Sequence, residues 1–383
     1  MSAALPLFPV TTVGSWPRPP WLLDAVRRKA PAAELEALRD RAVLEALRAQ
    51  EEAGVDIPGD GEQRRDNFYS FLCERVEGMR LMTMADLLDF VEDKAGFEAM
   101  LTALDVPAYA MRNPTVTGPL RARGPLVRDD LRFLRKHTAK PLRATLPGPY
   151  LLSRSTWVKG LSDAAYPTRE ALAADIVRLL RDEARALAAD GVEWIQFDEP
   201  VLSEVLFAGK SATRTFMCAA LAAKASPEGE MELAVDLINR VVDGIDGPAF
   251  GVHVCRGNWS RDDSVLLSGD YDPLFPWFRR MRLRFFALEW ATPRAGPVEV
   301  LGGLPPGALL GFGAVNPRTA EVEDPQSIAL RVRRVAAILG PERVHLNPDC
   351  GFGTFAERPV NDADTARRKL EALAKAAAIL RRG

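Results

Sequence analysis

The sequence predicts an α/β protein built as a TIM (β/α)8 barrel, with a long helical excursion after the second strand. Three observations carry this. From Val192 onward, short apolar runs alternate with amphipathic helical stretches, the order that parallel strands with crossover helices produce. The unusual polar residues stand at or just past the C-terminal ends of the apolar runs, which is the active-site rim of such a barrel. At 383 residues, 47% hydrophobic, the chain can bury the core of one large barrel with insertions.

In chain order, the strand candidates are Val10–Val13, Val55–Pro58, Pro114–Gly118, Leu142–Leu146, Val192–Phe197, Ala249–Cys255, Leu283–Glu289, Leu309–Val315 and Val344–Leu346. That is one more than a barrel needs, and Pro114–Gly118 is the one best assigned to an accessory hairpin. An early helix covers about Pro31 to Ala53 and stops near Gly54. Thr168 to Asp190 puts Leu172, Ile176, Leu179, Leu180 and Leu187 on one stripe, with Gly191 as the stop. Met231 to Ile245 repeats the pattern. Asp324-Pro325 opens another helix, since proline's missing N–H costs nothing in a first turn. Asn361 begins the last. Arg65 to Asn113 and residues 208 to 229 are excursions, the first a lid or subunit contact, so that residues 1–383 read as one barrel.

Net charge is −2, with no long basic block, so nucleic-acid binding is not expected. No apolar run approaches a membrane span, and the N-terminus lacks the pattern of a secretory signal. Four scattered cysteines make no disulfide framework, so a cytoplasmic setting is expected.

The chemistry-bearing residues lie on the expected rim. His253 and Cys255 are two apart in a strand and therefore point to the same side. Cys350 follows an Asn-Pro-Asp turn at another strand end, and Glu289 closes the apolar run Phe285–Leu288. Imidazole, two thiolates and a carboxylate converging on one point would hold zinc. The bland alternative is a pair of core cysteines beside a satisfied histidine. Asp198-Glu199-Pro200 ends a buried strand, where its acids either bind a cation or cap a helix. In Asp60–Arg65 the acids could hold an ammonium, and Arg64 and Arg65 could hold a carboxylate or sulfonate by forked hydrogen bonds. Gly14-Ser15 offers backbone N–H groups with room for close approach. Cys73 and Cys218 read as packing residues, His137 as solvated and His345 as structural.

With these motifs the chain resembles the cobalamin-independent methionine synthase family, whose catalytic barrel it matches over nearly its whole length. Thr11–Ser15, Asp60-Gly61-Glu62, Gln196–Pro200, His253-Val254-Cys255, Glu289 and Asn347–Gly351 carry the resemblance. It implies Zn2+ held by His253, Cys255, Glu289 and Cys350. It further implies that Gly14-Ser15 holds the carboxylate of homocysteine while Glu62 and Asp198 hold its amine. The implied activity is methyl transfer to homocysteine through a zinc-activated thiolate.

Two departures qualify the donor. The chain has no room for the second barrel that helps grip a folate tail. The family's His-Ser-Pro-Arg segment, whose histidine protonates the leaving folate nitrogen, here reads Val315-Asn316-Pro317-Arg318, so the proton donor is unknown. A methylated corrinoid, free or on a partner protein, is an alternative donor. Asp60 to Phe71 is also similar to the epoxyalkane:coenzyme M transferase branch, making coenzyme M the second candidate thiol. A zinc hydrolase or lyase on the same barrel, and a non-catalytic corrinoid-partner module, are the readings of other classes.

Overall fold

The computed structural model describes residues 5–90, 112–207 and 226–382, with isolated positions between 91 and 111. Cys218 and most of residues 208–229 lie outside the described residues, as does much of the proposed lid. The excursion after the second strand carries short helices, Leu72–Arg75 and Met84–Leu87, and also an antiparallel hairpin of β1 (Val76–Thr83) and β2 (Arg112–Ala122). Pro114–Gly118 therefore belongs to an accessory hairpin, as its surplus in the strand count indicated. Its partner β1 is not legible as a strand, because its exposure pattern lacks a two-residue period.

The remaining strands form the barrel wall. They are β3 (Arg143–Pro147), β4 (Trp194–Asp198), β5 (Ala249–Val254), β6 (Phe285–Glu289), β7 (Leu309–Val315) and β8 (Val344–Pro348), parallel and in sequential order. The ring closes through two segments that are nearly all loop. Thr11 N–H donates to the Leu346 carbonyl, Ile57 N–H to that of Val10, and Arg143 N–H to that of Pro58. Residues near 10 and 57 thus stand as the first two barrel strands. β3, β4, β6 and β8 are buried along their full length, as strands covered on both faces must be.

The outer helices fall close to their expected bounds. Ala32–Glu52, Arg169–Ala189, Pro227–Val242, Pro325–Leu339 and Ala363–Arg381 each bury one stripe. Thr168, Ser226, Asp324 and Asp362 cap four of them with side-chain oxygens. His345 sits against Trp194 with ring centroids 5.3 Å apart, and burial, with Arg143 nearby, lowers its pKa to about 3. It is the structural histidine the sequence indicated. None of the described helices is long and apolar enough to cross a membrane.

Candidate metal and thiol site

β5 delivers His253 in its last turn of pleat and Cys255 just beyond it, on one side of the strand. Cys350 arrives from the loop after β8. The ligand atoms of His253, Cys255 and Cys350 all lie within 4.8 Å of one another. Tetrahedral zinc with two sulfurs and a nitrogen needs ligand separations of about 3.5–3.8 Å, so small side-chain rotations suffice. Both cysteines are free thiols in mutual contact. The Cys350 hydrogen bond, with the His253 charge, holds the Cys255 thiol below its ordinary pKa against the effect of burial. That is the thiolate character a soft metal uses. The donor set and its burial therefore fit zinc.

Around the cluster, His253 is oriented by its neighbours. His253 Nδ1 lies 3.1 Å from Asp198 Oδ1, leaving Nε2 on the opposite edge of the ring, 3.3 Å from the Asp349 carbonyl. A carboxylate behind a histidine fixes its tautomer and raises its basicity. Burial lowers the pKa of His253, but the Asp198 hydrogen bond and the neighbouring negative groups outweigh it and leave the imidazole at about 9. Gln196 Nε2 in turn donates to Asp198 Oδ1 at 2.8 Å.

Glu289 stands beside the cluster but outside it. Its Oε1 accepts from the Arg256 N–H at 2.8 Å and from Asn258 Nδ2 at 2.6 Å, and Oε2 faces Arg294 at 3.5 Å. To serve as fourth ligand the carboxylate would turn away from Arg294. Asn258 escapes sequence reasoning, since one more asparagine in a loop carries no distinguishing pattern.

A cavity of about 420 Å³ opens onto this cluster and is also lined by Gly14, Ser15, Glu62, Arg65 and Asp198. Four of the expected thiol-binding residues are therefore brought to one chamber with the three converging ligands. Glu62 Oε1 accepts from Thr145 Oγ1 at 3.1 Å, and Asp198 Oδ1 is engaged as above. Neither carboxylate's second oxygen has a hydrogen-bond partner among the described residues. The Ser15 N–H likewise has none there. The Gly14-Ser15 turn packs against the loop that carries Cys350, so that a Cβ added at Gly351 would stand 2.6 Å from the Ser15 nitrogen.

Arg64 also lines the cavity, and its guanidinium pairs with Glu36, Asp40 and Asp130 and stacks over Phe133, so acidic partners already compete for it. Arg65 faces the cavity, but its Nε and Nη2 are sealed from solvent, and its guanidinium lies 4.5 Å above the Phe71 ring. The Asn316–Arg318 segment supplies no group to the cavity wall. Arg318 pairs with Asp263, and the Asn316 side chain accepts the Arg318 N–H. Cys73 packs against the core, as expected, at the edge of the cavity, and burial pushes its thiol up to about 12.

A family model described as "Cobalamin-independent synthase, Catalytic domain" matches residues 8–226. The methionine synthase of Thermococcus kodakarensis is 29% identical over 99% of this chain and 95% of its own length. That of Sulfolobus acidocaldarius is 26% identical over 92% of this chain and 88% of its own. Among solved structures, a B12-independent methionine synthase from Shewanella sp. W3-18-1 in complex with selenomethionine superposes with a TM-score of 0.74. It is 24% identical and covers 98% of both chains. The family model spans more than half of the sequence, and the chain belongs to the cobalamin-independent methionine synthase family.

Proposed function

We propose that this protein is a zinc-dependent methyltransferase that converts homocysteine to methionine. One observation carries the reading: the His253–Cys255–Cys350 cluster opens onto the same chamber as Glu62, Asp198 and the Gly14-Ser15 turn. The names of the relatives agree with it.

The assignment of groups follows from their free atoms. Glu62 and Asp198 are buried carboxylates whose charges raise one another's cost. An ammonium between their unpartnered oxygens would relieve that cost. The Ser15 N–H takes the substrate carboxylate. These two contacts fix both ends of the amino-acid head and leave its thiol to reach the cluster. Zinc, when bound by His253, Cys255, Cys350 and a turned Glu289, supplies the charge that keeps that thiol ionised at neutral pH. The substrate sulfur then forms a bond to the donor's methyl carbon as the donor keeps the electron pair of the breaking bond. Holding both reactants in line contributes much of the rate.

Coenzyme M is the second reading, and Arg65 would have been its sulfonate partner. The sealed guanidinium nitrogens of Arg65 weigh against it. The test is a mass-spectrometric assay of zinc-loaded protein offered homocysteine or coenzyme M, with methylfolate, methylcobalamin or epoxypropane as donor. Methionine is the expected product. Alkylated coenzyme M with no methionine from either methyl donor would overturn the assignment.

A further inference from the structure

We propose that Arg18 and Arg65 are positioning residues for Glu62, locking its turn and aiming its carboxylate into the chamber. The inference rests on the reading that Glu62 receives the substrate ammonium.

Gly61 and Glu62 both adopt left-handed backbone, with φ of 62° and 54°. Glycine does so freely; glutamate does so at a cost, and holds only where its surroundings over-determine it. The surroundings here are specific. Arg18 Nη2 donates to the carbonyls of both Glu62 and Arg65 at 2.8 Å. Gln63 Nε2 ties the carbonyls of Trp16 and Gly61 together at 2.9 Å, and Trp16 N–H donates to Gly61. Asp60 Oδ1 accepts the Glu62 N–H at 3.0 Å. Every link runs to the backbone of this one turn, so the clamp fixes where the Glu62 side chain starts.

Arg65 acts on the other end of that side chain. Its Nη1 donates to Thr145 Oγ1 at 3.2 Å and stands 3.7 Å from Glu62 Oε1, while Thr145 itself donates to that oxygen. Phe71 supports the guanidinium from behind. Four guanidinium nitrogens of the pair (Nε and Nη1 of Arg18, Nε and Nη2 of Arg65) are buried with no hydrogen-bond partner. Charged groups facing Glu62 are Arg18, Arg65, Asp60 and Asp198. Burial raises its pKa, Arg65 is the largest opposing influence, and Asp198 and Asp60 add to the rise. Removing Arg65 therefore keeps the carboxylate protonated to higher pH.

The experiment is calorimetry on zinc-loaded protein with homocysteine and with 4-mercaptobutyrate, which is the same molecule without the amine. Arg65→Gln should weaken homocysteine about tenfold at neutral pH and move the acid limb of its binding to higher pH. Affinity for 4-mercaptobutyrate should hold, and Arg65→Lys should keep the limb near its original position. Should Arg65→Gln fail to fold, Arg18→Gln carries the test, with the same selective loss expected. Equal loss for both thiols, or no loss for either, would overturn the proposal. A Glu62→Gln protein that still prefers the amino thiol would instead overturn the ammonium reading beneath it.

Discussion

Gly351→Ala is the perturbation whose size can be worked out most directly. Gly351 follows Cys350 and touches the turn proposed to hold the substrate carboxylate. An added Cβ would lie 2.6 Å from the Ser15 nitrogen, 3.0 Å from its Oγ and 3.1 Å from the Gly14 carbonyl carbon. The nearest contact falls about 0.8 Å short of ordinary van der Waals distance at 3.4 Å. Two of those three atoms are backbone, so neither partner is a flexible tip that can swing away. Overpacking of this kind costs about 1–3 kcal/mol. Relief by separating the loops would also draw Cys350 from Cys255, or move Ser15 from the position proposed for the substrate carboxylate. The assay pairs urea unfolding with zinc and homocysteine titrations. Stability should fall by that amount, and affinity for at least one ligand should fall with it. Gly124→Ala is the control, because nothing lies within 4 Å of its added Cβ. There stability should hold or rise by about 0.4–1 kcal/mol. A Gly351→Ala protein with unchanged stability and both affinities intact would refute the claim that the two loops form one packed unit.

Three further outcomes are expected. Cys350→Ser should lose zinc and turnover together, measured by metal analysis and methionine formation; an active protein without metal would remove the cluster from the mechanism. Asp198→Asn should weaken zinc by roughly 10–100-fold through His253, read by competition with a chromogenic chelator, and unchanged affinity would deny the orienting role. His345 provides the pH test. Its pKa is about 3 in the fold against 6.5 unfolded, so the unfolded chain binds more protons between those values. Its contribution is thus present above pH 6.5 and lost as pH falls, at up to about 1.4 kcal/mol per unit. His345→Gln should flatten that part of the urea-midpoint profile, and a parallel slope would count against it.

The barrel and its rim are legible because both depend on local regularities. Parallel strands buried on both faces leave apolar runs, amphipathic helices leave stripes, and catalytic groups are confined to one end of each strand. His253 and Cys255 are readable as a pair because a strand repeats every two residues. Cys350 joins them only through the barrel's closure, which β8 makes by pairing with residues 9–11. Long-range charge pairing is what the sequence hides. Arg64 and Arg65 are neighbours in the chain, yet one is held by Glu36, Asp40 and Asp130 and the other by Glu62 and Thr145. A turn with two left-handed residues separates them from any periodic frame, so no spacing rule assigns their directions. Arg18, in a proline-rich stretch, reaches the carbonyls of Glu62 and Arg65 only because that stretch folds over the Glu62 turn.

X-ray absorption at the zinc edge of loaded protein, before and after homocysteine, addresses the central claim most directly. Two sulfur neighbours at about 2.3 Å, with nitrogen or oxygen completing four-coordination, are expected first. Homocysteine should then raise the sulfur count to three. Zinc that binds without sulfur neighbours, or a sulfur count that homocysteine leaves unchanged, would contradict the account.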